Sequence, residues 1–293
     1  MPQAAGASLG PMARILIAGC GDVGSALALL LAADGHQVWG LRRTVARLPP
    51  AIEPLCADVT DPASLRCLPR DLDAVVYTAA APARTADAYR ATYPTGLGNV
   101  IDALAAAGQR PARLLFASST SVYGQDDGGW VDETSPTLPS AFPGRLMLAA
   151  EAKLRQAPWP SVAIRFGGIY GPGRGRLIRR ARAGEPVERA VMRWTNRIHR
   201  DDCAGVLRHL LALPAPAAVL NAVDDEPSTL TAVIDFICAQ RGWPLPPACE
   251  PVAMASPAAR GKRCRNRLLG QSGYRFRYPS FRQGYRAVLD THA

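Results

Sequence analysis

The sequence offers nothing long and apolar enough to cross a membrane. Its apolar run Ala26–Ala33 falls well short of the roughly 20 residues a bilayer span needs and reads as a helix core. No membrane is expected as a partner. The seven cysteines (Cys20, Cys56, Cys67, Cys203, Cys238, Cys249 and Cys264) never stand at CxxC spacing, and their number is odd. This argues against a disulfide frame or a zinc site and fits a reducing cytoplasm. The four histidines form no ligand cluster, so no metal is expected. Lysine is nearly missing, with only Lys153 and Lys262, so arginine carries the net charge of +10. The arginines are spread along the chain and no stacking pattern of aromatics interleaves with them. A solvated basic surface with an anion pocket therefore outweighs specific nucleic-acid binding.

What is present is ordinary globular material: 293 residues, 48% hydrophobic and 20% charged, enough for a sizeable core. The first thirteen residues, MPQAAGASLGPMA, contain no basic block and no apolar block. They read as a frayed tail rather than a signal peptide. Short apolar strands are expected at Arg14–Ala18, Gln37–Leu41, Glu53–Cys56, within Asp73–Pro82, at Arg113–Ser119 and at Ser161–Phe166. Helices are expected between them, one over Gly24–Ala33 with Gly35 to end it, and Asp61 is placed to cap a brief turn through Leu65. Strands apolar on both faces with helices between them predict an α/β fold with a doubly wound parallel sheet. After Phe166 the chain turns irregular and rich in Gly, Pro and Arg. One more strand is expected at Ala218–Val223, with helices at Cys203–Leu213 and Leu230–Arg241. The expected division is a tail (1–13), a nucleotide-binding domain (14–166) and a smaller C-terminal substrate lobe (167–293), with 197–223 returning to the first domain.

Gly19, Gly21 and Gly24 spell G-x-G-x-x-G between a strand and a helix. The first two glycines allow a tight turn and close approach of a pyrophosphate, and the third allows the helix to pack on the strand. Asp22 and Val23 fall in the first helical turn, whose free N–H groups suit phosphate. About twenty residues on, where NAD sites carry an acidic residue for the ribose, the chain reads "GLRRT". Arg42 and Arg43 suit a 2′-phosphate, which favours NADP over NAD. The alternative is that one or both arginines are merely solvated.

Six stretches in order resemble the short-chain dehydrogenase/reductase superfamily in its extended, epimerase/dehydratase-like branch. They are "AGCGDVG", "ADVTD", "YTAAAP", "FASSTSVYG", "AIRFGGIYGPGR" and "NRIHRDDCAGVL". The resemblance implies a Rossmann-type fold. It implies that Asp58 and Val59 lie beside the adenine, that Ala79 and Ala80 line the ribose and phosphates, and that Ser118 approaches the nicotinamide. Ser119 stands where the family carries the Ser or Thr that hydrogen-bonds the reacting oxygen. The family also uses Tyr-x-x-x-Lys, with the tyrosine moving a proton and the lysine lowering its pKa. Here the matching helix reads "SPTLPSAFPGRLMLAAEAKLRQ". One register puts Phe142 and Leu146 at the pair, and a register through Glu151 puts Pro143 and Met147 there. Neither supplies both groups. In this the chain resembles the atypical YeeZ-like group, which keeps the cofactor site but has an incomplete catalytic set.

Tyr170 is the outside candidate for the proton work, ahead of Tyr123. Arg145 is a candidate to hold a ribose or phosphate. His199 reads as structural, Asp201 and Asp202 as helix caps, and Asp132 and Glu133 as residues at the crevice mouth or in solvent. The basic stretches Arg174–Arg182 and Lys262–Arg267 suit the diphosphate of a nucleotide sugar or plain solvent. Two functions follow. One is an NADP-dependent oxidoreductase or epimerase acting on a small polar substrate, with phosphorylated and nucleotide-linked substrates both in range. The other is a catalytically silent NADP(H)-binding sensor or scaffold. Monomer and dimer are both compatible with the sequence.

Overall fold

The computed structural model describes residues 9–249 and 259–290; residues 1–8 of the expected tail lie outside them. Seven strands form one parallel sheet: β1 (Arg14–Ala18), β2 (Gln37–Arg42), β3 (Glu53–Cys56), β4 (Ala74–Tyr77), β5 (Arg113–Ser119), β6 (Ser161–Phe166) and β7 (Val219–Ala222). Their order is β7-β6-β5-β4-β1-β2-β3, with every pairing parallel. Strands β4 and β6 are buried along their whole length, as a sheet covered on both faces requires. Strand β3 is largely exposed and sits at the edge, where Pro54 costs no ladder hydrogen bond.

Helices cover both faces. On one lie α1 (Asp22–Ala33) and α4 (Arg200–Ala212), packed against each other and sharing a core with Ile15, Ile17 and Val76. On the other lie α2 (Gly96–Ala106) and α3 (Phe142–Arg155), which share a core with Leu16, Tyr77 and Phe116. A third apolar cluster joins Tyr170 and Ala181 to α5 (Leu230–Arg241) and α6 (Phe281–Asp290). The helical stretch before α2 carries Pro94 and widens into a π turn over Ala91–Thr95. Proline lacks the N–H that would continue the ordinary ladder, and the wider turn absorbs the break.

Several sequence expectations are corrected. The helix expected from Cys203 begins at Arg200, and its N-cap is His199, whose Nδ1 accepts from the Asp201 N–H at 3.2 Å. Asp202 caps no helix. It is buried and accepts from the Arg277 and Tyr278 amides and the Tyr274 hydroxyl at 2.8–3.0 Å, fastening the C-terminal segment to α4. In the basic stretch after Ala259, Lys262 donates to the Tyr123 carbonyl at 2.7 Å, and the Arg263 guanidinium lies 4.9 and 4.8 Å from the Trp130 and Trp194 rings. These side chains tie the C-terminal segment to the residues after β5 by hydrogen bonding and cation–π contact. Glu133 accepts from the Asn221 amide at 2.8 Å, and Asp132 holds its own turn through Thr134.

One buried polar network runs beneath β5 and β6. Arg165 forks onto Glu151 at 2.9 and 2.8 Å and donates to the Tyr123 hydroxyl at 3.0 Å. Tyr123 in turn donates to Asn221 Oδ1 at 2.8 Å. Burial holds the Tyr123 hydroxyl up to about 12, so it is neutral and structural.

Two predictions follow. Glu151→Ala leaves Arg165 charged and unpaired in the core and should cost about 3–5 kcal/mol in urea unfolding; a change under about 1 kcal/mol would mean that the pair is not what holds Arg165. Burial also depresses His199 to about 4. The unfolded chain then binds the extra proton between its ordinary value near 6.5 and about 4, so stability should fall with pH across that window by up to about 3 kcal/mol. His199→Asn keeps a capping acceptor and should flatten the slope. An equal slope in both proteins would assign it to other groups.

Candidate functional site

The sheet order reverses between β1 and β4, and a cleft opens there at the carboxyl ends of the strands, the place where open parallel sheets bind ligands. It measures about 690 Å³. The loop after each strand from β1 to β4 contributes to its wall, as do the end of β5 and the residues after β6. Gly19, Gly21, Asp22, Val23, Arg42, Arg43, Asp58, Val59, Ala79, Ala80, Ser118 and Ser119 all line it. Twelve positions spread over a hundred residues of sequence thus face one space.

The glycine turn fits a phosphate cradle by its own geometry. Gly19 adopts φ +88°, and a Cβ there would lie 2.2 Å from the Ala79 backbone. At Gly21 a Cβ would project into open space, its nearest neighbour the Gly19 carbonyl 3.9 Å away. A side chain would therefore fill the cradle itself. Gly24 does not line the cleft but lies under it, where a Cβ would press on Thr78 Oγ1, the Gly19 carbonyl and Ile17 at 2.9–3.0 Å. No side chain caps α1, so its first-turn N–H groups stay available to an anion.

The two arginines after β2 part company. Arg42 is half-buried and donates to the Cys20 carbonyl at 3.3 Å, bracing the turn from below. Arg43 is exposed and stands 3.9 Å from Asp58, whose other carboxyl oxygen accepts from Thr60. Arg43 is thus the freer donor at the rim.

Deeper in, the paired serines differ. Ser118 is buried and donates its proton to Glu151 at 2.7 Å, so toward any further partner it can act only as an acceptor. Ser119 Oγ accepts from the Ser121 amide at 3.1 Å, so its own proton remains to be donated. On α3 the register through Glu151 places a side chain in the cleft: Met147 lines it. Phe142 instead lies edge-on to Tyr89 at 5.4 Å, and Arg145 turns outward to the Ser140 carbonyl. No cation stands where the lysine of a Tyr-x-x-x-Lys pair would be.

Tyr170 does not line this cleft, which corrects the expectation for it. Its ring stacks on Tyr285 at 4.6 Å and meets His199 edge-on, and its hydroxyl donates to the Ser280 carbonyl at 3.4 Å. Burial pushes that hydroxyl far above its ordinary range. The tyrosine that lines the cleft is Tyr93, in the π turn, which sequence reasoning missed. Its hydroxyl is 3.5 Å from the Ala81 amide, and burial raises its pKa. Widened helical turns of this kind often occur at functional sites, but from sequence Pro94 reads only as a helix break. Arg174, noted for its basic run, lies against the glycine turn: its Nε is 2.6 Å from Asp22 Oδ2. Among the described residues, no group of three or more His, Cys, Asp or Glu could hold a metal ion, and no helix is long and apolar enough to cross a membrane.

The comparisons agree with this geometry. Residues 15–215 match the model of the NAD dependent epimerase/dehydratase family. Protein YeeZ of Escherichia coli (strain K12) is 34% identical over 225 residues, which covers 72% of this chain and 77% of YeeZ. A Methylobacillus flagellatus structure described as a candidate NAD-dependent epimerase/dehydratase is 38% identical, with a TM-score of 0.80 over 96% of this chain and 99% of its own. The fold is also shared with the Bordetella bronchiseptica enzyme WbmG in complex with NAD and UDP, at 24% identity and a TM-score of 0.78, covering 97% of this chain and 96% of WbmG. A glycine cradle at the switch point of a seven-stranded parallel sheet, matched along two thirds of the chain, makes this protein a member of the NAD-dependent epimerase/dehydratase family.

Proposed function

We propose that the protein is an NADP-dependent oxidoreductase or epimerase acting on a carbonyl or hydroxyl of a small polar substrate of nucleotide-sugar type, with a non-standard active site. The observation that carries this reading is the single cleft in which the glycine cradle, the exposed Arg43 and the Ser118–Ser119 pair meet. The NAD and UDP held by WbmG support both a dinucleotide and a nucleotide-linked substrate. The nicotinamide dinucleotide supplies hydride transfer when bound. Gly19, Gly21 and the start of α1 hold its pyrophosphate, Asp58 and Val59 flank the adenine, and Ala79 and Ala80 line the ribose and phosphates. Arg43, seconded by Arg42, takes the 2′-phosphate. Ser118 accepts from the carboxamide end. Ser119 donates its free proton to the reacting oxygen, which stabilises charge developing there. Tyr93, kept protonated by its burial, is the proton donor in place of the missing tyrosine. With no lysine to lower its pKa it works as an acid more readily than as a base.

A second reading rests on Met147, the thioether that lines the cleft where the lysine would stand. In that reading the protein holds NADP(H) as a redox sensor or scaffold and carries out no chemistry.

Titration of the protein with NADPH and NADH should give tighter binding of NADPH. Arg43→Ala should weaken NADPH roughly tenfold or more, the loss of a charge-assisted contact, and leave NADH unchanged. Equal affinity for both cofactors would remove the NADP assignment. A screen of carbonyl compounds and nucleotide sugars should find NADPH oxidation, and Ser119→Ala should lower its kcat by about a hundredfold. Tight NADPH binding without any turnover would instead favour the sensor, which requires unequal affinities for NADP and NADPH.

A further inference from the structure

Asp22 occupies the first position of α1, inside the glycine turn, and two arginines from distant sequence converge on it. Arg174 Nε lies 2.6 Å from one carboxyl oxygen, and Arg200 Nη1 lies 3.0 Å from the other. Arg200 is held a second time, by Asp201 at 2.7 Å. Among the described residues Arg174 has no such second carboxylate. It sits on the loop Gly171-Pro172-Gly173-Arg174-Gly175. Gly171 is packed against the start of α4, where a Cβ would lie 3.0 Å from Arg200 Cβ. Gly173, at φ +75°, touches nothing within 4 Å of a would-be Cβ. The backbone of the loop is held at both ends, by the Arg174 N–H donating to the Gly171 carbonyl at 3.0 Å and by Gly175 at the start of the Arg176–Arg182 helix, so the mobile part is the half-exposed Arg174 side chain.

We infer that Arg174 is a pyrophosphate clamp, parked on Asp22 and free to transfer to the cofactor's pyrophosphate while Arg200 keeps Asp22 neutralised. The inference rests on the dinucleotide reading above and adds a residue of the second lobe to it. A carboxylate at the mouth of a phosphate cradle repels the ligand unless it is compensated. The pair Arg174–Asp22 is more than a third exposed on each side, 38% and 35%, and exposed ion pairs are weak. A pyrophosphate presents two charges and several oxygens to a guanidinium fork, so it outcompetes one carboxylate. The transfer swings the Arg174 side chain from Asp22 to the pyrophosphate and so ties cofactor binding to the position of the substrate lobe.

The test is a set of binding titrations of the full chain with NADPH, NADH, ADP and 2′-AMP; the last lacks a pyrophosphate. Arg174→Gln should weaken NADPH, NADH and ADP by roughly tenfold and leave 2′-AMP unchanged. Asp22→Asn should tighten the same three ligands several-fold, because it removes the carboxylate that competes for Arg174. In the double variant that gain should disappear. Thermal melting of each variant separates these effects from folding, since an exposed pair contributes little to stability. If Arg174→Gln alters melting but not dinucleotide affinity, Arg174–Asp22 is only a tie between the lobes and the clamp is overturned. If Asp22→Asn weakens dinucleotide binding, Asp22 holds the cofactor directly and the transfer is wrong. If the unaltered protein binds 2′-AMP but no dinucleotide, the clamp and the dinucleotide reading fall together.

Discussion

The cleft depends on one steric constraint: the backbone after β1 runs so close to the backbone after β4 that no Cβ fits between Gly19 and Ala79. That contact sets the height of the glycine turn above the sheet and the angle at which α1 leaves it. The same turn is braced from below by Arg42 and by Thr78, whose hydroxyl donates to the Gly19 carbonyl at 3.0 Å. Because β1 and β4 are neighbours at the point where the strand order reverses, the constraint acts where the sheet leaves room for a ligand. The shape of the cradle is thus fixed by backbone packing, whereas its chemistry is left to the side chains around the rim.

A second layer of organisation lies behind the cleft wall. Ser118 hands its proton to Glu151, Glu151 is neutralised by Arg165, and Arg165 reaches Tyr123 and through it Asn221. A buried network of this kind is costly unless every member is satisfied. Here it determines where a serine at the cleft sends its proton, and so assigns Ser118 and Ser119 opposite hydrogen-bonding roles although they are adjacent in sequence.

Much of this was legible in the sequence, and the reasons for the failures are physical. Strands β1, β5 and β6 run between the expected residues, because apolar runs on a fully covered sheet leave little freedom. The glycine turn could be read because each glycine answers a different steric demand. The phase of α3 could not, since apolar residues crowd both Phe142–Leu146 and Pro143–Met147 and only packing chooses Met147 for the cleft. His199 escaped as a helix cap because histidine rarely advertises that role, while two aspartates beside it do. Tyr170 looked close to the chemistry by its place after β6, but Tyr285, far along the chain, claims its ring. Arg174 stood out only as one end of a run of arginines, and nothing local in such a run singles out the one that crosses to Asp22.

The last strand of the sheet has a consequence for how the chain is made. Strand β7 lies beside β6, yet 52 residues of sequence separate Phe166 from Val219, and they include the Arg176–Arg182 helix and α4. During synthesis, β6 leaves the ribosome with one ladder edge open, and it stays open until residue 222 has emerged. An unpaired edge invites pairing with foreign strands. Throughout that interval the exposed edge belongs to a strand that is buried along its whole length in the finished protein, which makes β6 a point in the nascent chain open to wrong pairing until β7 arrives.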